Sequence, residues 1–91
     1  MSNISLKSKS FKLLLDLIND PAFRKNIENK AVTIGLENIE AEFSESEIQS
    51  VIDILTFALT EVGLDKNSEP NDLGIKIEAL IDSFSVHLYK H

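Results

Sequence analysis

Apolar positions along the 91-residue chain recur mostly at helical spacing. Phe11, Leu14, Leu15 and Ile18 share one helical face, which predicts a first helix from about Ser8 or Ser10 to Ile18. Asn19-Asp20-Pro21 then stops and restarts the chain. The Asp20 carboxylate suits an N-cap, and Pro21 suits the first helical position, where no amide hydrogen is needed. A short second helix over about Pro21 to Asn29 follows, with Phe23 and Ile27, four apart, as its buried contacts. Between residues 30 and 43 the pattern is less decisive. Ala31-Val32-Thr33-Ile34 fits either a helical extension or an extended stretch, and Gly35 marks a turn. Leu36, Ile39 and Phe43 keep a three-to-four spacing that accommodates a further short helical turn.

The third helix has the clearest start. Ser44 stands at the N-cap, Glu47 is its reciprocal partner three residues on, and Phe43 and Ile48 occupy the flanking staple positions. Behind that start Ile48, Val51, Ile52, Leu55, Ala58, Leu59 and Val62 trace one stripe. Gly63 fits a left-handed C-terminal position followed by the hydrophobic Leu64. Ile54 and Phe57 lie beside the stripe, leaving Gln49, Asp53, Thr56 and Thr60 as a narrow polar strip. A helix apolar over so much of its circumference is central, or shared with another chain. The pair Ile54 and Phe57 is therefore a candidate second apolar interface, covered by the last helix or by a second copy. A polar loop from Asp65 to Asp72 leads into the last helix, capped by Asn71 or Asp72, with Leu73, Ile77, Leu80, Ile81, Phe84 and Leu88 on one face. The expected fold is all-α, a compact bundle of four to five short helices in one domain over residues 1–91.

Composition narrows the function classes. Apolar residues make up 43% and charged residues 26% of the chain, an ordinary globular balance. With no cysteine there is no disulfide framework and no thiolate metal cluster, which fits a cytoplasmic location. Lys7, Lys9 and Lys12 precede the run Leu13-Leu14-Leu15 in a signal-like order. Asp16 breaks that run, however, and it is too short for a signal core or a bilayer span.

The net charge of −6 is unevenly spread. From Ala31 to Asp65 there are eight acids and no lysine or arginine, whereas the first fifteen residues carry three lysines and no acid. Nucleic acid and anionic membrane are poor partners for so acidic a middle. A DNA-reading helix also needs basic and amide side chains, and the Ser44–Val62 stretch carries no basic residue.

Candidate chemistry is sparse. Asp65, Asn67, Glu69 and Asn71 alternate as in a calcium loop, but Pro70 and Lys76 hold the positions where such a loop needs its turn glycine and bidentate glutamate. His87 and His91, four apart, would share a helix face without further ligands nearby in sequence. Gly35, Gly63 and Gly74 are isolated, so there is no glycine-rich phosphate cradle. For nucleophilic catalysis there is no cysteine, and neither histidine has a serine-bearing strained turn near it in sequence. The expectation is a protein without catalytic, cofactor-binding or metal-binding residues.

The positions Leu15, Ile18, Asp20, Pro21, Phe23, Arg24, Gly35, Leu36, Phe43, Ser44 and Glu47, within Phe11 to Leu55, form a pattern of their own. It resembles the leader regions of ribosomally made, post-translationally modified peptide precursors of the nitrile-hydratase-like and nitrogen-fixation-associated types. That resemblance implies a peptide-modifying enzyme as partner. Such precursors usually follow the leader with a Gly-Gly or Gly-Ala site and a core rich in modifiable residues. Here an amphipathic helix continues from Leu73 to Tyr89 instead.

The reading that covers most of these features is a small acidic, non-enzymatic protein-interaction module of the inhibitor, immunity, antitoxin-like or adaptor kind. Glu37, Glu40, Glu42, Glu45, Glu47 and Asp53 would dock a basic surface on a protein partner, charge complementarity speeding and orienting the encounter.

Overall fold

Two short segments, one near the start of the chain and one more than thirty residues on, pair with each other as strands. The structure, a computed structural model, describes residues 2–64, 66–67 and 69–88. In it β1 (Ser2–Lys7) is followed by α1 (Ser8–Leu17), α2 (Pro21–Lys30), β2 (Val32–Ile34), β3 (Asn38–Phe43), α3 (Glu45–Val62) and α4 (Asp72–Leu88). The strands form one antiparallel sheet in the order β1-β3-β2. The expected all-α bundle is therefore corrected: among the described residues four helices pack on a three-stranded sheet, a mixed α/β fold.

The register explains the sheet. Ile4 faces Ala41 and Leu6 faces Ile39, so Ile4, Leu6, Ile39, Ala41 and Phe43 point to one side. All are buried in or packed against the core. Asn3, Ser5, Lys7, Asn38 and Glu42 alternate to the other side and stay exposed. The helical turn expected through Leu36, Ile39 and Phe43 does not form. A spacing of four puts Ile39 and Phe43 on one face of a strand as readily as on one face of a helix, and Ala41 between them fits only the strand. Leu36 instead sits on the β2–β3 turn, which Gly35 enters at φ +67°.

The helix boundaries follow local chemistry. Asp20 caps α2 by accepting hydrogen bonds from the amides of Ala22 at 3.0 Å and Phe23 at 3.4 Å, with Pro21 in the first turn. Ser44 and Glu47 close a full capping box on α3: the Glu47 amide donates to Ser44 Oγ at 3.1 Å, and the Ser44 amide donates to Glu47 Oε1 at 2.9 Å. The Gly74 amide donates to Asn71 Oδ1 at 2.8 Å, so Asn71 rather than Asp72 caps α4.

The core lies between the inner sheet face and the helices. Ile48, Val51 and Leu55 of α3 and Ile77 and Phe84 of α4 are fully buried there, with Leu14, Ile18 and Ile27. Phe43 and Phe84 meet edge to face, ring centroids 5.1 Å apart at 84°. The most extensive helix contact is α3 against α4. Gly63 does not adopt the expected left-handed conformation: its φ and ψ are −95° and −3°. Its glycine is required by space instead. A Cβ there would lie 2.8 Å from Leu59 Cδ1 and 3.0 Å from Gly74 Cα. Gly63 and Gly74 let the end of α3 touch the start of α4, and Asn71 clasps the junction through Gly63 O and Val62 O.

Candidate functional site

The six acids expected to act together are placed in different surroundings. Glu37 lies on the β2–β3 turn, where its main-chain oxygen accepts from the Ser8 amide at 2.6 Å and from Ser8 Oγ at 3.0 Å. Glu40 points to the outer sheet face and accepts a hydrogen bond from Asn3 Nδ2. Glu42 shares that face, two residues on. Glu45 is in the first turn of α3. Glu47 is occupied within the fold: besides the capping box, its Oε2 accepts from Lys30 Nζ at 2.7 Å and Asn26 Nδ2 at 3.2 Å. Partial burial pushes its pKa up, but the Lys30 ammonium and the Ser44 hydrogen bonds outweigh this and hold the carboxyl below its ordinary range. The same ammonium sits 4.8 Å from the centre of the Phe43 ring. Asp53 lies further along α3 than Glu45 and Glu47.

Around Asp53 the structure gathers residues from distant parts of the chain. A groove of about 510 Å³ runs between the C-terminal end of α1 and the outward face of α3. Leu17, Ile54, Phe57, Ala58 and Val62 are its apolar lining, or floor. Asp16, Asp20, Asp53 and Glu61 stand around it, with Asn19. Both candidate apolar residues, Ile54 and Phe57, are thus brought together with Asp53. Phe57 remains 62% exposed and Val62 48%, so α4 does not cover this surface.

The electrostatics of the groove are one-sided. Among the described residues no lysine, arginine or histidine lines it. Among the described residues none of its four carboxylates makes an ion pair. Asp20 is held by the α2 cap, and Asp53 Oδ1 accepts from Gln49 Nε2 at 3.1 Å. Asp16 and Glu61 occupy the last turns of α1 and α3, and neither last turn contains a basic residue. A helix C-terminus already carries about half a negative charge, and an acid there costs about 0.3–1 kcal/mol of local stability. At the end of α3 nothing in the last turn offsets that choice, whereas at the end of α1 the Arg24 guanidinium donates to Ile18 O at 3.0 Å.

Sequence reasoning did not find Asp16, Asp20, Glu61, Leu17 or Val62 as site residues. Asp53, Phe57 and Glu61 were legible as a four-residue ladder on one helix, but the opposite wall comes from more than thirty residues upstream. A second hollow, on the outer sheet face beside Val32 and Ile34, contains Lys30 along with Glu40 and Glu42. It therefore has no single sign of charge.

The other sequence candidates stay apart. Among the described residues no group of three or more histidine, cysteine, aspartate or glutamate side chains is placed to hold a metal. His87 lies in the last turn of α4. His91 and Asp65 lie outside the described residues, so the pair His87/His91 and the full Asp65 loop are not described. No helix among the described residues is long and apolar enough to cross a membrane. Comparison with protein-family models, with curated proteins and with solved structures finds no match.

Proposed function

We propose that this protein is a non-enzymatic interaction module that docks a basic surface of a protein partner, and that the groove between α1 and α3 is the docking site. The observation that carries the reading is an apolar floor ringed by four carboxylates with no cation among its lining residues. Exposed apolar side chains such as Phe57 gain by being covered. The carboxylates select what covers them: a cationic surface gains attraction on approach, and an anionic one is repelled. A second copy of the chain is disfavoured for the same reason, because symmetric pairing would bring the two acid rims together.

This relocates the centre of the interaction from the Glu37–Glu47 stretch to Asp53 and its new neighbours. Glu47 has its partners inside the fold, and Glu40 and Glu42 lie on the outer sheet face. The leader-like reading, in which a peptide-modifying enzyme is the partner, has no comparable support, since α4 contributes Ile77, Leu80 and Phe84 to the core.

The test is comparative capture from the native cell. Wild type, Phe57→Lys and Asp53→Lys/Glu61→Lys proteins are immobilised at low and high salt. A basic partner retained by the wild type, lost from both variants and weakened by salt is the expected result. A captured partner indifferent to both variants would refute the groove, and one that meets the chain through an acidic surface would refute the charge reading.

A further inference from the structure

We infer, building on the docking reading above, that the element received by the groove is a cationic amphipathic helix that places an apolar residue between lysines or arginines one turn before and one turn after it. Asp53, Phe57 and Glu61 follow one another at four-residue steps along α3, so acid, apolar and acid stand roughly 6 Å apart. The complement is base, apolar, base at the same interval. The far wall repeats the sign, with Asp16 and Asp20. The negative end of the α3 dipole adds to its wall with no basic residue in its last turn, whereas at the end of α1 the Arg24 guanidinium donates to Ile18 O at 3.0 Å and offsets the dipole there. From Asp53 to Val62 the floor runs about 14 Å, the length of two and a half helical turns.

A strand would offer the same charge interval, so the choice of a helix rests on the backbone. Every lining residue belongs to α1, α3 or the turn after α1. No strand edge borders the groove to receive an extended segment's main chain, which is how added strands gain affinity. Laid against Leu17, Ile54, Phe57 and Val62, an extended chain would leave polar groups facing apolar side chains. A helix brings its main-chain bonds already made.

The experiment titrates the isotope-labelled full chain, followed by amide NMR, with two peptides of about fourteen residues. The two share their Leu, their two Arg and their net charge; one is stapled as a helix with Leu at its centre and Arg four residues to either side. The other is held extended by prolines, with Arg two residues to either side of the Leu. The expected result is that the stapled peptide shifts amides in residues 16–20 and 53–62. Its binding should weaken roughly tenfold in Asp53→Asn/Glu61→Gln and stay unchanged in Glu40→Gln/Glu42→Gln. Phe57→Ser, altered at an exposed position, gives the same reading should the rim variant melt early. Tighter binding of the extended peptide at these amides would overturn the helical occupant while leaving the basic-partner reading intact. If neither peptide shifts these amides at millimolar concentration and low salt, both fall.

Discussion

Replacing Gly74 with Ala opposes two effects of known size. In an ordinary helical position the change removes backbone freedom from the unfolded chain and stabilises by up to about 1 kcal/mol. Here the added methyl would point at the Gly63 backbone, with its carbonyl carbon 2.9 Å from the new Cβ and its Cα 3.3 Å away. Those atoms are not the end of a flexible side chain. Gly63 O accepts from the Asn71 amide at 2.9 Å, and Asn71 also donates from Nδ2 to Val62 O at 3.0 Å. Relief therefore means separating α3 from α4 or breaking the Asn71 clasp. Overpacking costs about 1–3 kcal/mol where side chains can yield, and a backbone obstacle belongs at the upper end. The net expectation is a loss of about 2 kcal/mol. Urea unfolding should show a midpoint lower by about 1–2 M at unchanged slope. Thermal melting should fall by roughly 8–16 °C. Gly63→Ala should lose stability too, and the double variant should lose less than the sum, because both methyls break one contact. A Gly74→Ala protein that melts at or above the parent temperature would refute the close approach of the two helices.

Other perturbations probe separate parts of the molecule. Leu55→Ala empties a fully buried site on α3 and should cost about 2–4 kcal/mol by urea unfolding. Phe57→Lys alters a residue 62% exposed and should change stability by less than about 0.5 kcal/mol, with no change in sedimentation. Glu47→Gln keeps a capping-box side chain but removes the charge facing Lys30, and should cost about 1 kcal/mol at pH 7. The folded Glu47 pKa lies below its unfolded value, so its contribution is full above the ordinary glutamate range and is lost as pH falls through the folded value. The gap between Glu47→Gln and parent, followed by urea unfolding from pH 7 down to about pH 3, should accordingly shrink. Glu40→Gln/Glu42→Gln/Glu45→Gln should leave both melting and partner association kinetics nearly unchanged, since the acids that ring the groove are others.

Helix starts were legible because capping is local. Asp20-Pro21 and Ser44-x-x-Glu47 each complete their hydrogen bonds within three residues, and both caps form as the spacing predicts. Burial of Phe11, Leu14, Ile48, Val51, Leu55, Ile77, Leu80 and Phe84 followed from their helical intervals for the same reason. The sheet was not legible. β1 offers only Ile4 and Leu6 as an alternating apolar pair, and its partner β3 is more than thirty residues away. Ile39 and Phe43 satisfy both periods at once. The turn at Gly35 was readable, but the pairing it permits was not.

The candidate site divides along the same line. Sequence alone determined the acidic excess of the middle segment, the absence of cysteine, and the place of Ile54 and Phe57 beside the main stripe of one helix, since composition and helical pitch need no partner segment. Only the tertiary structure decided which acids lie together. Strand alternation turned Glu40 and Glu42 to the outer sheet face, and Lys30 took up Glu47. The packing of the α1 end beside α3 placed Asp16 and Asp20 opposite Asp53 and Glu61 across an apolar floor. Charges add in space rather than along the chain, and the core that brings α1 to α3 is built from residues far apart in sequence.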